Sequence, residues 1–256
     1  MRLKKRKVEQ VPPPVMSTLK PLEQCHSMLF DFRPEIMFLL EKKHYSNTAC
    51  LCVWDRVHSL LRRLILAVQN APSTNQHWGI RYLLLSRTPA EHFQVDWHCA
   101  LCLFVLACKE VVLVDLPWSW IQTAANRCGE KSGNGAKLQN KHLRILKETE
   151  VMLLEIFDWN VGRNSCSIVD IIERLINHDV ADILQTRGKL LELKKCVSMA
   201  SDPNYQEQPL IDIRVFANAF LLTFDAKELA KFNIHVPQHI TAPAELVKKI
   251  QAVEEA

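Results

Sequence analysis

Apolar residues run without a charge from Cys99 to Cys108, in CALCLFVLAC, and Lys109 is the first charged residue after them. A segment apolar on every face predicts a helix over about 93–113 that other helices must wrap. Upstream, Leu51, Trp54, Val57, His58, Leu61, Leu64 and Ile65 recur at spacings of three and four. They predict a helix over 49–70, with Asp55, Arg56, Arg62 and Arg63 on its opposite, polar side. Pro34 in PEIMFLLEKKHY suits the first position of a short helix over 34–45. The turn at 70–74 offers Ser73 or Thr74 as the cap of a further helix over 75–87, which Pro89 ends.

The next predicted helix begins at Pro117. The 128–137 segment, with three of the six glycines, reads as a surface loop. Leu143, Ile145, Leu146, Met152, Leu153 and Ile156 then mark a helix over 138–157. Residues 162–165 read as a boundary. Beyond it SIVDIIERLINHD and VADILQTRGKLLELKKCVSMA predict two helices, 201–208 a polar loop, and 209–223, 226–232 and AELVKKIQAVEEA shorter helices. The expected organisation is a basic, proline-rich tail over 1–20 taken as disordered, an N-terminal helical domain over 34–161, and a smaller C-terminal one over 165–256.

Composition agrees with an all-α chain. Hydrophobic residues make up 48 %, enough for a sizeable core, and only six glycines and twelve prolines interrupt the helix formers. Mean hydropathy near zero argues for a soluble protein. A net charge of +4 does not by itself point to nucleic acid. Nine cysteines is an odd number, and most lie in apolar helical patterns, so they read as small buried hydrophobes in a reducing compartment. The uncharged stretch ending at Cys108 is too short for the ~20 apolar residues that span a bilayer, and the basic N-terminus lacks the apolar core of a signal peptide.

Three segments, in order, resemble the cyclin box. RYLLLSR at 81–87 is similar to the second-helix form Y-L-D-R-F, with Tyr82 in place but Leu84 and Leu85 where the acidic–basic pair belongs. ALCLFVLACK at 100–109 resembles the family's small-x-x-x-hydrophobic-x-A-S-K, with Ala100, Ala107 and Lys109 matching and Cys108 in the serine's place. ILKETEVMLLEIFDWNV at 145–161 resembles the fifth helix, with Glu150 at the kinase-contacting glutamate and Phe157-Asp158-Trp159-Asn160 at its end. The long Lys109–Glu150 interval and LLEIFDW resemble cyclin C, while Trp159-Asn160-Val161 is closer to D-type cyclins. Such a mixture on a short chain resembles viral cyclins, those of fish retroviruses among them.

The resemblance implies a cyclin-like bundle with a central buried helix, followed by a reduced second helical domain. It implies a regulatory subunit with no catalysis or cofactor of its own. Its partner would be a cyclin-dependent kinase, the Mediator-associated one among the candidates, gripped by Lys109 and Glu150. Residues 51–54 lack the arginine and apolar patch that would dock substrate motifs, which leaves a non-activating interaction protein as the alternative. Independently of the family, a lysine and a glutamate at the ends of apolar helices can make charge-assisted hydrogen bonds to a partner's backbone. The bland alternative is a lysine snorkelling from a core helix and a solvated glutamate.

Other candidates carry less. Lys4, Lys5, Arg6 and Lys7 read as a nuclear localisation signal or a solvated tail, and the former places the chain in the nucleus. His98 with Cys99 and Cys102 is half a zinc site without a second pair, and Pro237 breaks the helical spacing of His235 and His239, so no metal is expected. GEKSGNGAK lacks the spacing of a phosphate loop. Lys137, Lys141, His142, Arg144 and Lys147 form only a modest basic face for nucleic acid. FANAFLLTFDAKEL at 216–229 reads as an acidic–hydrophobic activation surface or as a helix of the second domain.

Overall fold

The computed structural model describes residues 20–69, 89–113, 119, 121–123, 140–162, 167–186, 188–201, 212–237 and 239–252. Among them every regular element is helical and no strand occurs. The expected helix over 75–87, the resembling segment 81–87 and the basic run Lys4–Lys7 lie outside the described residues.

Helix α1 spans Lys20–Lys42. It starts well before the short helix expected over 34–45, and Pro34 lies inside it. The reason is a buried stripe, Leu29, Phe32, Ile36 and Leu40, at spacings of three and four on both sides of the proline. Pro34 itself is exposed, so its missing N–H faces the solvent side. His44 ends the helix in the left-handed region at φ 63°, and the Tyr45 N–H returns to the Leu40 carbonyl at 3.2 Å.

Helix α2 spans Asn47–Gln69, with Ser46 Oγ accepting from the Ala49 N–H. Helix α3 spans Pro89–Val111 and opens on Pro89 rather than merely following it, the first-turn place where a missing N–H is harmless. Residues 98–108 of α3 are all buried, as an all-round apolar helix requires. The helix packs against α1, α2 and α4, the last spanning Asn140–Ile156. Trp54 of α2 stacks on Phe104 of α3 at 5.8 Å and meets Phe30 and His58 edge-on.

The C-terminal helices are α5 (Ile168–Ile176), α6 (Val180–Ile183), α7 (Lys189–Ser201), α8 (Ile213–Leu221), α9 (Ala226–Ala230) and α10 (Ala244–Gln251). The segment from Val180 to Ala200, expected as one helix, divides into α6 and α7. Gly188 between them has φ +82°, which a continuing helix cannot contain. Helix α8 packs on α5, α7 and α10, while α2 reaches across to α5 and α7. In the 216–229 segment Phe216, Phe220, Leu221, Phe224 and Leu229 are buried, and Asp225 and Glu228 form a capping box on α9. Buried Lys189 donates to the Thr223 carbonyl at 2.8 Å and to Glu192 at 3.0 Å, so its charge is matched inside this half.

Cys50, Cys99, Cys102, Cys108 and Cys196 are buried free thiols, and Cys52 is partly so. Burial pushes the thiols of Cys52 and Cys108 up to about 12. Among the described residues no helix is long and apolar enough to cross a membrane.

Candidate partner interface and the charged junction behind it

Lys109 occupies the last turn of α3, and Glu150 sits in the middle of α4. The structure brings them together: Lys109 Nζ donates to Glu150 Oε1 at 2.6 Å. The two side chains are 39 % and 23 % exposed, so the pair lies at the surface edge of the bundle. Val151, beside Glu150, is 42 % exposed, and Leu113 just past α3 is 86 % exposed. The pairing follows from packing. Cys102 Sγ donates to the Leu146 carbonyl at 3.3 Å, which sets α3 and α4 in register two turns before the lysine.

The residue after Lys109 faces the other way. Glu110 Oε2 lies 2.6 Å from Arg56 Nε of α2, and Arg56 Nη1 lies 2.9 Å from Asp170 Oδ2 of α5. Arg56 Nη2 also donates to Asp170 Oδ1 at 3.0 Å. The guanidinium side chain is only 7 % exposed. Its Nε approach to Glu110 is a charge contact whose N–H is not aligned as a hydrogen bond, whereas the Nη2 bond to Asp170 is aligned.

Asp55, fully buried beside Arg56, completes the junction. Its Oδ2 accepts from the Ser167 hydroxyl and from the Val169 N–H, each at 2.8 Å. Ser167 in turn caps α5 by accepting from the Asp170 N–H at 3.1 Å. One orphan N–H of the first turn and the hydroxyl of the capping serine are therefore both met by one carboxylate from α2. Burial raises the Asp55 carboxyl, against the lowering effect of the Val169 N–H, Arg62 and the Ser167 hydroxyl. The Ile168 N–H also opposes the rise, and complete burial outweighs all of these contacts. Burial also raises Glu110, opposed by Arg56, and raises Glu173, opposed by the Val180 N–H that it accepts.

The chain leaving α4 passes over this junction. Asp158 and Trp159 adopt left-handed φ of 52° and 55°, and the Trp159 N–H returns to the Leu154 carbonyl at 2.7 Å. Arg63 donates to the carbonyls of Asn160 and Val161 at 2.9 and 3.0 Å, and its guanidinium lies 4.8 Å from the Phe157 ring centroid. At Gly162 an added Cβ would stand 2.8 Å from Glu110 Oε1. An open cleft of about 660 Å³ lies here, with Arg56, Glu110, Asp170, Glu173 and Asp179 among its walls.

The side of α2 expected to be its polar face is thus the face that meets the C-terminal helices, and Asp55 and Arg56 are buried there. The one available signal was an adjacent acid–base pair set inside an otherwise apolar run, Val53-Trp54-Asp55-Arg56-Val57. Leu51 and Trp54 are buried in the bundle. His98, Cys99 and Cys102 are buried on α3, and His235 and His239 are exposed. Among the described residues no group of three or more His, Cys, Asp or Glu is arranged to hold a metal ion. Of the modest basic face, Arg144 pairs with Glu148 at 2.8 Å on the exposed side of α4. No protein-family model, no curated protein and no solved structure matches the chain.

Proposed function

We propose that the chain is a cyclin-like regulatory subunit that binds a cyclin-dependent kinase through the edge formed by α3 and α4. The observation that carries the reading is the 2.6 Å pair of Lys109 and Glu150, two residues chosen from sequence resemblance and far apart in the chain. A surface-edge pair flanked by exposed Val151 suits a partner helix, whose burial of the pair would strengthen each charge-assisted hydrogen bond. The all-round burial of residues 98–108 suits the central helix of a cyclin box. The segment 81–87, which resembles the family's second helix, lies outside the described residues, so the reading rests on the α3 and α4 segments.

The basic run Lys4–Lys7 would direct the subunit to the nucleus, where its kinase would act on the cell cycle or on transcription. The test is capture of cyclin-dependent kinases from nuclear extract by the wild-type chain and by the double variant Lys109→Ala, Glu150→Ala. Capture by the first and loss by the second is the expected result. A folded wild-type chain that captures no kinase would refute the reading. A kinase assay on the captured pair separates an activating subunit from a scaffold that occupies the kinase without stimulating it.

A further inference from the structure

Two consecutive residues at the end of α3 bind two different parts of the molecule. Lys109 holds Glu150 on α4 at 2.6 Å, and Glu110 contacts Arg56 at 2.6 Å, which holds Asp170 on α5 at 2.9 Å. The last turn of α3 is closed by the Val112 N–H, which donates to the Cys108 carbonyl at 3.0 Å. Lys109 and Glu110 share the backbone of that turn, which is the link between the two ion pairs.

The other side of the circuit is closed as well. Helix α4 carries Glu150, and its outgoing chain is gripped by Arg63 at Asn160 and Val161 before Gly162 crosses against Glu110. Asp55, next to Arg56, fixes the start of α5 through Ser167 and Val169. The seating of α5 on α2 thus leads, through the Asp170–Arg56–Glu110 contacts and then the backbone of the last turn of α3, to the Lys109–Glu150 pair.

We infer that the last turn of α3 couples the seating of α5, through Arg56 and Glu110, to the strength of the Lys109–Glu150 pair, so that the C-terminal helices regulate the partner-facing edge. The regulatory consequence rests on the reading of that edge as the kinase interface, whereas the coupling itself does not. Groups joined in one charged network show interaction energies in double-mutant cycles, while distant independent sites add.

The experiment is a denaturant-unfolding cycle on the full chain with Asp170→Asn, Lys109→Met and the double variant. The expected result is an unfolding constant for the double variant that departs threefold or more from the product of the single effects. A departure below threefold overturns the coupling. A control cycle of Asp170→Asn with Arg144→Ala, on the exposed side of α4, should stay below threefold. If Asp170→Asn does not fold, Gly162→Ala replaces it, since its Cβ displaces Glu110 from the other side. Kinase capture then reads the consequence. With a wild-type chain that binds and a Lys109→Ala variant that does not, Asp170→Asn should weaken binding about tenfold. Unchanged binding there would sink the regulatory inference while leaving the kinase reading intact.

Discussion

Glu110 Oε2 stands 2.6 Å from Arg56 Nε, one residue along the chain from the lysine that pairs with Glu150. The end of α3 thus carries two charges to two different partners. These two pairs should behave differently when broken, because the cation of the first, Lys109, is 39 % exposed and that of the second, Arg56, only 7 %.

Breaking the outer pair should be mild. Lys109 and Glu150 are 39 % and 23 % exposed, so water screens the charge that remains. Lys109→Met or Glu150→Gln should lower stability by less than about 1 kcal/mol, measured by denaturant unfolding. Under the proposed kinase reading, capture should nevertheless fall sharply in the same variants. A loss of several kcal/mol of stability would mean that the pair serves the fold instead.

Breaking the inner one should cost more. Arg56→Met leaves Glu110 and Asp170, 27 % and 24 % exposed, facing each other without a cation, so the loss should exceed that of the outer pair but stay below the ~3–5 kcal/mol of a fully buried pair. Arg56→Lys should recover only part of this, since one ammonium cannot match the forked contacts to both carboxylates. Thermal unfolding of the three proteins ranks them, and equal midpoints would contradict the assignment.

Gly162→Ala should destabilise by less than about 1 kcal/mol, because the new methyl would meet Glu110 Oε1, the end of a flexible side chain, at 2.8 Å and displace it at the expense of its contact with Arg56. Adding Glu110→Ala should remove most of the penalty specific to the glycine. If the alanine costs the same with and without the glutamate, the close approach is not its cause.

Acid should help the junction rather than harm it. Burial raises the carboxyls of Asp55, Glu110 and Glu173, so their folded-state values lie above the unfolded ones. Each then favours the folded state most below the unfolded carboxylate value of roughly 4, and that contribution is lost as pH rises through the raised folded value. Asp55→Asn removes one such dependence. Its stability relative to wild type should therefore increase with pH across that window, and a difference independent of pH would show that Asp55 is not raised.

The sequence made some of these features legible and concealed others for physical reasons. An apolar run with no polar face can only be a wrapped helix, so residues 98–108 were readable without any partner information. Lys109 and Glu150 stand out only through resemblance, and their contact depends on a register between α3 and α4 that no local pattern encodes. The start of α1 at Lys20 was missed because Pro34 imitates a first-turn proline, while the stripe from Leu29 to Leu40 crosses it. Asp55 and Arg56 looked like a solvated face because their partners, Ser167, Val169 and Asp170, lie more than a hundred positions away. The break at Gly188 was present in the letters, but a single glycine is also tolerated within helices and so did not decide the matter.

Asp55 and Arg56 are encoded deep inside the N-terminal half, yet the groups that match them belong to the helix that begins at Ile168. A fragment ending near Gly162 would keep the carboxylate and the guanidinium and lose Ser167, Val169 and Asp170. The two halves should therefore melt in one cooperative step, and neither is free to change its residues at this seam alone. A substitution at Arg56 calls for a matching one at Asp170, so the true seam of this molecule is a pairing between distant codons rather than a stretch of linker.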